Sequence, residues 1–242
     1  MGFLQDTTTR RRIYLMRHGH VDYFQQPADG SELDTTQVNL TERGQGEAKK
    51  AGIALKDIPF DKAVCSGYPR TFQTAQGVLS SQPEATRPTL EIDPDLVELH
   101  SGNFNIGHLL TEHSLTEALS HAFDEAQKNG ATMGDGGEAF ADAMERSARG
   151  MMALINDPDW TQALVVAHEG INRVILSWAA AGDTSIMGAF EQDLACFNIL
   201  DVDHAADGSL RRIAIKAVNV TGWNPSKDGM NRLSLEEIFH RD

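Results

Sequence analysis

The chain has 242 residues, with 21 basic against 35 acidic side chains and a formal net charge of −14. Hydrophobic residues make up 40% and charged residues 23%, a globular balance that excludes disordered, collagenous and coiled-coil classes and supports a sizeable core. The acidic field repels nucleic acid and anionic lipid, so neither is an expected partner, and an anionic substrate would need a local positive patch held against the global sign.

In chain order, residues 1–10 are polar and read as a loose tail. They lack the apolar core of a signal peptide, and stretches such as 174–181 are too short to span a bilayer, so no membrane association and a cytoplasmic location are expected. Ile13 to Met16 is a short apolar run that ends in Arg17-His18-Gly19-His20, a buried strand meeting a loop. Residues 22–39 form a long loop, and Thr41 is a good N-cap for a helix to about Leu55. Ala63 to Cys65 is a second strand, Pro69 suits the first turn of a helix through Leu79, and Thr89 to Ile92 is a third strand.

Residues 93–110 are irregular. Helical patterns follow at about 111–128 and 138–156, with 129–137 as a joint; in the second, Phe140, Ala143, Met144, Met151 and Ile155 recur at helical steps. Leu164 to Ala167 is the clearest buried strand and ends in His168-Glu169-Gly170. A helix over 171–181, strands over 197–202 and 210–218, and a short helix near 234–240 complete one domain spanning 1–242. Two cysteines, Cys65 and Cys196, are too few for a disulfide framework and read as reduced and buried. Alternating strands and helices predict an α/β fold, a mostly parallel sheet covered on both faces, with chemistry at the carboxyl ends of the strands.

Arg17-His18, Ser66 with Arg70, and His168 each follow an apolar run, so three strand ends converge on one edge. Two arginines and two histidines suit a phosphate, because guanidinium forks match its oxygens. Flanking positive charge favours neutral imidazole, which can attack phosphorus and split one hard step into two. A carboxylic acid from the 93–107 loop could protonate the leaving oxygen. Cys65 lies five positions before Arg70, one short of a cysteine-phosphatase loop, and reads as a packed strand residue. Arg173 reads as a surface arginine, and His100, His108, His113 and His121 as surface residues.

Leu15-Met16-Arg17-His18-Gly19, the block Ser66-Gly67-Tyr68-Pro69-Arg70-Thr71-Phe72-Gln73-Thr74-Ala75, Glu98, and Ala167-His168-Glu169-Gly170 together resemble the histidine phosphatase superfamily, in its phosphoglycerate-mutase-like branch. The segment from Asn39 to Ala48 adds to the likeness, which covers about residues 13–175. The resemblance implies a three-layer α/β/α sandwich with a mainly parallel central sheet. It implies His18 as phosphoacceptor, Arg17, Arg70 and His168 as the phosphate pocket, Glu98 as proton donor, and no metal or organic cofactor. The sequence departs from the family where His20-Val21-Asp22-Tyr23-Phe24 replaces the usual E-x-x-x-N after RHG. Glu169 stands where a glycine is usual; it puts a carboxylate beside the phosphate and counts with Arg17 and Arg70 among the substrate-binding residues.

The leading expectation is a phosphatase acting on small-molecule phosphate monoesters through phosphohistidine. Mutase-type phosphoryl transfer is the runner-up. His18-Gly19-His20-Val21-Asp22 also matches the H-x-H-x-D spacing of metal hydrolases, and a non-catalytic phosphate-binding module is the third alternative.

Overall fold

A computed structural model describes residues 8–25, 30–31, 33–102 and 121–239. Its strands are β1 (Thr9–Arg17), β2 (Lys62–Cys65), β3 (Leu90–Ile92), β4 (Gln162–Ala167), β5 (Phe197–His204) and β6 (Leu210–Val220). Its helices are α1 (Glu42–Ala54), α2 (Pro69–Leu79), α3 (Phe140–Asn156), α4 (Glu169–Ala181) and α5 (Ser234–Phe239). The strands form one sheet in the order β3-β2-β4-β1-β5-β6. The pairings β3–β2, β2–β4 and β4–β1 are parallel; β1–β5 and β5–β6 are antiparallel.

Strand alternation divides the core. Ile13, Leu15, Ala163, Val165 and Ala167 face the layer of α3 and α4, where Phe140, Met151, Ile155, Ile171 and Ile175 pack. Tyr14, Met16, Leu164 and Val166 face the other way, against Ala51 and Leu55 at α1 and Ala75, Val78 and Leu79 of α2. Residues 163–167 are therefore all buried, as the unbroken apolar run requires of a parallel strand covered on both faces. The sandwich has three layers, as expected.

The structure corrects the sequence reading at three places. β1 begins at Thr9, inside the expected loose tail, because its polar side chains find partners on β5: the Arg10 and Arg12 forks grip Asp203 and Asp201. Residues 121–128 are turns rather than helix; 111–120, the rest of that expected helix, lie outside the described residues. α4 begins at Glu169, two residues earlier than expected, with His168 as its N-cap. The last shift turns the first amides of the helix toward the site.

Cys65 and Cys196 are buried and free, in agreement with the sequence reading. Among the described residues no helix is long and apolar enough to cross a membrane.

Candidate active site

β2, β4 and β1 are consecutive in the sheet and parallel, so their carboxyl ends lie side by side. Backbone bonds continue the register past the strands: His18 N–H donates to Ala167 O at 3.1 Å and Ser66 N–H to Val166 O at 3.3 Å. This places His18 beside His168, with ring centroids 5.3 Å apart at 68°. The loop after His18 touches α1 so closely that only glycine fits on both sides. A Cβ on Gly19 would lie 2.6 Å from Gly44 O, and one on Gly44 would lie 2.2 Å from His20 O.

His18 is buried, and its Nδ1 lies 2.7 Å from Gly19 O. A carbonyl only accepts, so the proton sits on Nδ1 and Nε2 keeps its lone pair. Burial first, then the charges of Arg70 and Arg17, hold His18 well below the ordinary histidine pKa. Burial and Arg70 hold His168 well below it too. Both rings are neutral near pH 7. His168 Nε2 lies 2.7 Å from Ser66 Oγ, which lies 3.0 Å from Thr71 Oγ1; Thr71 donates in turn to Tyr68 O at 2.8 Å. Nδ1 of His168 is buried and has no hydrogen-bond partner in the structure.

Arg17 is buried at the end of β1. Its Nη1 donates to Gln192 O and lies 3.0 Å from Glu169 Oε2. Arg70 occupies the first turn of α2, where a helix end favours anions over a lone cation. It is held by Thr35 O, 2.8 Å from Nη1, and by the rings of Tyr68 and Tyr23, whose centroids lie 4.8 and 5.7 Å from its guanidinium carbon. The Nε atoms of both arginines are buried with no hydrogen-bond partner. Two guanidinium donors are thus left without partners around His18, a set suited to tetrahedral oxygens, with the bare Nδ1 of His168 beside them.

Glu98 sits against the start of α4. Its Oε1 accepts from Leu99 N–H at 2.9 Å and Ile171 N–H at 3.0 Å, and its Oε2 from Gly170 N–H at 3.3 Å. These amides and Arg70 favour the carboxylate; burial opposes them and prevails, so the Glu98 pKa is raised. The loop that carries it is fastened by Arg146 on α3. That guanidinium donates to Asp95 O, Val97 O and Glu98 O at 2.8, 2.9 and 3.3 Å, and grips both carboxylate oxygens of Glu138 at 2.6 and 2.8 Å.

The carboxylate of Glu169 turns toward charged partners within the protein. Besides Arg17 it meets Arg173 Nη2 at 3.0 Å and accepts from Ser234 Oγ at 2.5 Å. Arg173 also reaches Glu191 at 3.0 Å and Ser234 Oγ at 2.9 Å. Arg173 was expected at the surface; it is buried because Glu169 and Glu191 neutralise it there.

Arg17, His18, Arg70, Glu98 and Glu169 line one cavity of about 890 Å³, and His168 lies against His18 and Tyr68 beside it. The sequence reading missed Tyr68, Glu138, Arg146, Gln192 and Leu235. Tyr68 lay within the quoted motif, but the others carry no local signature and enter through long-range packing. His20 does not join His18 in a ligand set: its Nδ1 lies 2.8 Å from Thr41 Oγ1 and its N–H donates to Glu47. Among the described residues no three His, Cys, Asp or Glu side chains are grouped to hold a metal ion. His100 and His121 are exposed, as expected; His108 and His113 lie outside the described residues.

Comparison with known proteins agrees with this geometry. The chain is 27% identical over 212 residues to the adenosylcobalamin/alpha-ribazole phosphatase of Escherichia coli, covering 86% of this chain and 98% of that one. It is 27% identical over 193 residues to the enzyme of that name from Salmonella typhimurium, covering 79% and 90%. The fold matches a mycobacterial glucosyl-3-phosphoglycerate phosphatase with a TM-score of 0.67 at 22% identity, covering 87% of this chain and 99% of that one. The family model described as histidine phosphatase superfamily (branch 1) matches residues 13–215. The chain therefore belongs to the histidine phosphatase superfamily.

Proposed function

We propose that the chain hydrolyses small-molecule phosphate monoesters through a phosphohistidine at His18. The observation that carries this reading is the tautomer of His18: Nδ1 is committed to Gly19 O, so a neutral Nε2 is left as nucleophile among Arg17, Arg70 and His168.

The phosphoryl oxygens take donors from Arg17, Arg70 and His168, which neutralise the charge that spreads over them as the bond to the leaving oxygen loosens. His168 donates Nε2–H to Ser66, whose own proton goes to Thr71 because Thr71 donates to Tyr68 O, and Nδ1 becomes a donor to the phosphoryl oxygens when it takes a proton beside that anion. His18 Nε2 forms a bond to phosphorus as the ester P–O bond breaks. The leaving oxygen takes the proton of Glu98, whose raised pKa suits an acid near neutrality. In the second half, Glu98 as carboxylate takes a proton from water, the water oxygen attacks phosphorus, and the P–N bond breaks. Phosphate leaves, and His18 and Glu98 return to their starting states. Glu169 holds Arg17 from behind and does not itself need to touch substrate.

Rapid mixing with labelled ester, quenched in alkali, tests the covalent step. Label should be trapped on the protein, stable to alkali and labile to acid, and absent in His18→Ala. Normal turnover in a burst experiment with no trapped label would establish direct water attack instead.

A further inference from the structure

The cavity is much larger than a phosphoryl group needs, and its charge is unevenly placed. Its volume of about 890 Å³ falls in the range of drug-sized ligand sites. One part of the wall is apolar, made by Val97, Leu99, Phe123, Met133 and Leu235, while Thr35, Thr36, Ser101 and Glu138 line other parts. Phe123 is anchored edge-on to Phe140, with centroids 5.9 Å apart, and Leu99 and Leu235 are buried. This wall can cover one face of a substrate with no change in the protein backbone.

The described arginines and lysines in the lining are Arg17, Arg70 and Arg146. Arg17 and Arg70 stand at His18 and are occupied by the phosphoryl group. Arg146 is spent, since its three nitrogens serve three backbone carbonyls and the Glu138 carboxylate. The backbone N–H of His100 donates to Glu138 Oε2 at 3.3 Å. Glu98, Glu138 and Glu169 are the acidic residues of the same lining. In sequence, the stretches 26–29 and 103–120 contain no lysine or arginine. Among the described residues, a second anionic group on the substrate would therefore find in this lining no arginine or lysine that is not already engaged, and would lie next to carboxylates.

We propose that the alcohol released by this enzyme is bulky, has an aromatic or alicyclic face, and bears no second negative charge, so that phosphorylated sugar acids are excluded. This rests on the phosphomonoesterase reading and adds the substrate class to it. Selection comes from the apolar wall, which rewards a buried hydrocarbon face, and from the missing cation, which penalises a carboxylate. In an apolar pocket a single methylene is worth about 10–200-fold in kcat/KM.

The test is a panel of alkyl phosphates with similar leaving groups: 2-phenylethyl phosphate, ethyl phosphate and 3-phosphoglycerate, with p-nitrophenyl phosphate reporting phosphoryl chemistry alone. Phenylethyl phosphate should exceed ethyl phosphate by at least about tenfold in kcat/KM, and 3-phosphoglycerate should fall below ethyl phosphate. Turnover of 3-phosphoglycerate at or above the phenylethyl ester would overturn the assignment. If no ester, p-nitrophenyl phosphate included, were hydrolysed, the phosphatase reading would fail. Thermal shifts would then judge the cavity: a larger shift with the phenylethyl ester keeps the ligand class, and a larger one with 3-phosphoglycerate removes it. Met133→Lys supplies the missing cation on the wall. It should raise the ratio of 3-phosphoglycerate to phenylethyl phosphate turnover, and an unchanged ratio would overturn the charge argument.

Discussion

The carboxylate of Glu98 accepts the backbone N–H of Ile171 at 3.0 Å, so the proposed acid is bonded directly to the helix that follows His168. The helix start stabilises negative charge, while burial of the side chain resists it. Burial prevails, and Glu98 holds its proton to higher pH than a surface carboxylate.

That balance predicts a substrate-dependent defect. Glu98→Gln keeps the shape and removes the acid. An alkoxide needs protonation as it leaves, whereas nitrophenolate leaves without help. The variant should lose about 10²–10⁴-fold on an alkyl phosphate and far less on p-nitrophenyl phosphate. In the wild type the alkyl rate should decline as pH rises through the Glu98 pKa, and the variant should lack that decline. Equal loss on both substrates, measured by steady-state kinetics, would remove Glu98 as donor.

Arg146 fastens the loop that carries the proposed acid. Arg146→Lys replaces a fork by a point charge and cannot serve three carbonyls and a carboxylate together. Its activity should fall preferentially on alkyl esters, in the pattern of Glu98→Gln, with kcat affected more than KM. Arg146→Ala should also lose about 1–3 kcal/mol of stability from unpaired carbonyls and Glu138. A drop in thermal midpoint with the two substrates equally affected would assign Arg146 to stability alone.

Ser66 accepts the Nε2–H of His168, since its own proton goes to Thr71. Ser66→Ala removes that acceptor and should weaken binding of vanadate and phosphate as well as turnover, because the ring loses the bond that orients it beside the anion. Ser66→Thr keeps the hydroxyl and should restore much of the binding. Isothermal titration with vanadate separates the variants, and equal affinities in wild type and Ser66→Ala would refute the relay.

The buried histidines set a pH dependence of folding. His18 and His168 have folded pKa values well below 6.5, so below that pH the unfolded chain binds more protons than the folded one. Stability from these groups is complete above about pH 6.5 and is lost as pH falls, each group contributing up to about 1.4 kcal/mol per pH unit. Denaturant midpoints between pH 7 and 5 should show the slope, and His168→Asn should reduce it.

Much of this site could be read in the sequence because its parts are local. His18, Ser66 and His168 each follow an apolar run that had to be a buried strand, and a parallel sheet brings such ends together. Pro69 and Thr41 marked helix starts that the structure keeps to the residue. The start of α4 was misjudged because His168 caps it with backbone geometry and no side-chain bond, which leaves no capping signature. Arg10 fell inside the expected tail, since Asp203, which fixes it in β1, lies nearly two hundred residues on. The direction of the Glu169 side chain was equally hidden: a carboxylate after His168 could face phosphate or protein, and Arg173 one turn on, with the distant Arg17 and Ser234, decides it.

The hold on Arg17 has a consequence for synthesis. Arg17 leaves the ribosome early, but the carbonyl of Gln192 that fixes its guanidinium lies 175 residues later, and Ser234, which bonds Glu169, later still. At about 5–20 residues per second, roughly 9–35 s separate the arginine from its first anchor. β1 also gains its parallel neighbour only when residues 162–167 have been made, and its antiparallel neighbour only after residues 197–204. The nascent chain therefore carries Arg17 and His18 in an unfinished setting until Gln192 has been made, and the hold of Glu169 is complete only once Ser234 has followed.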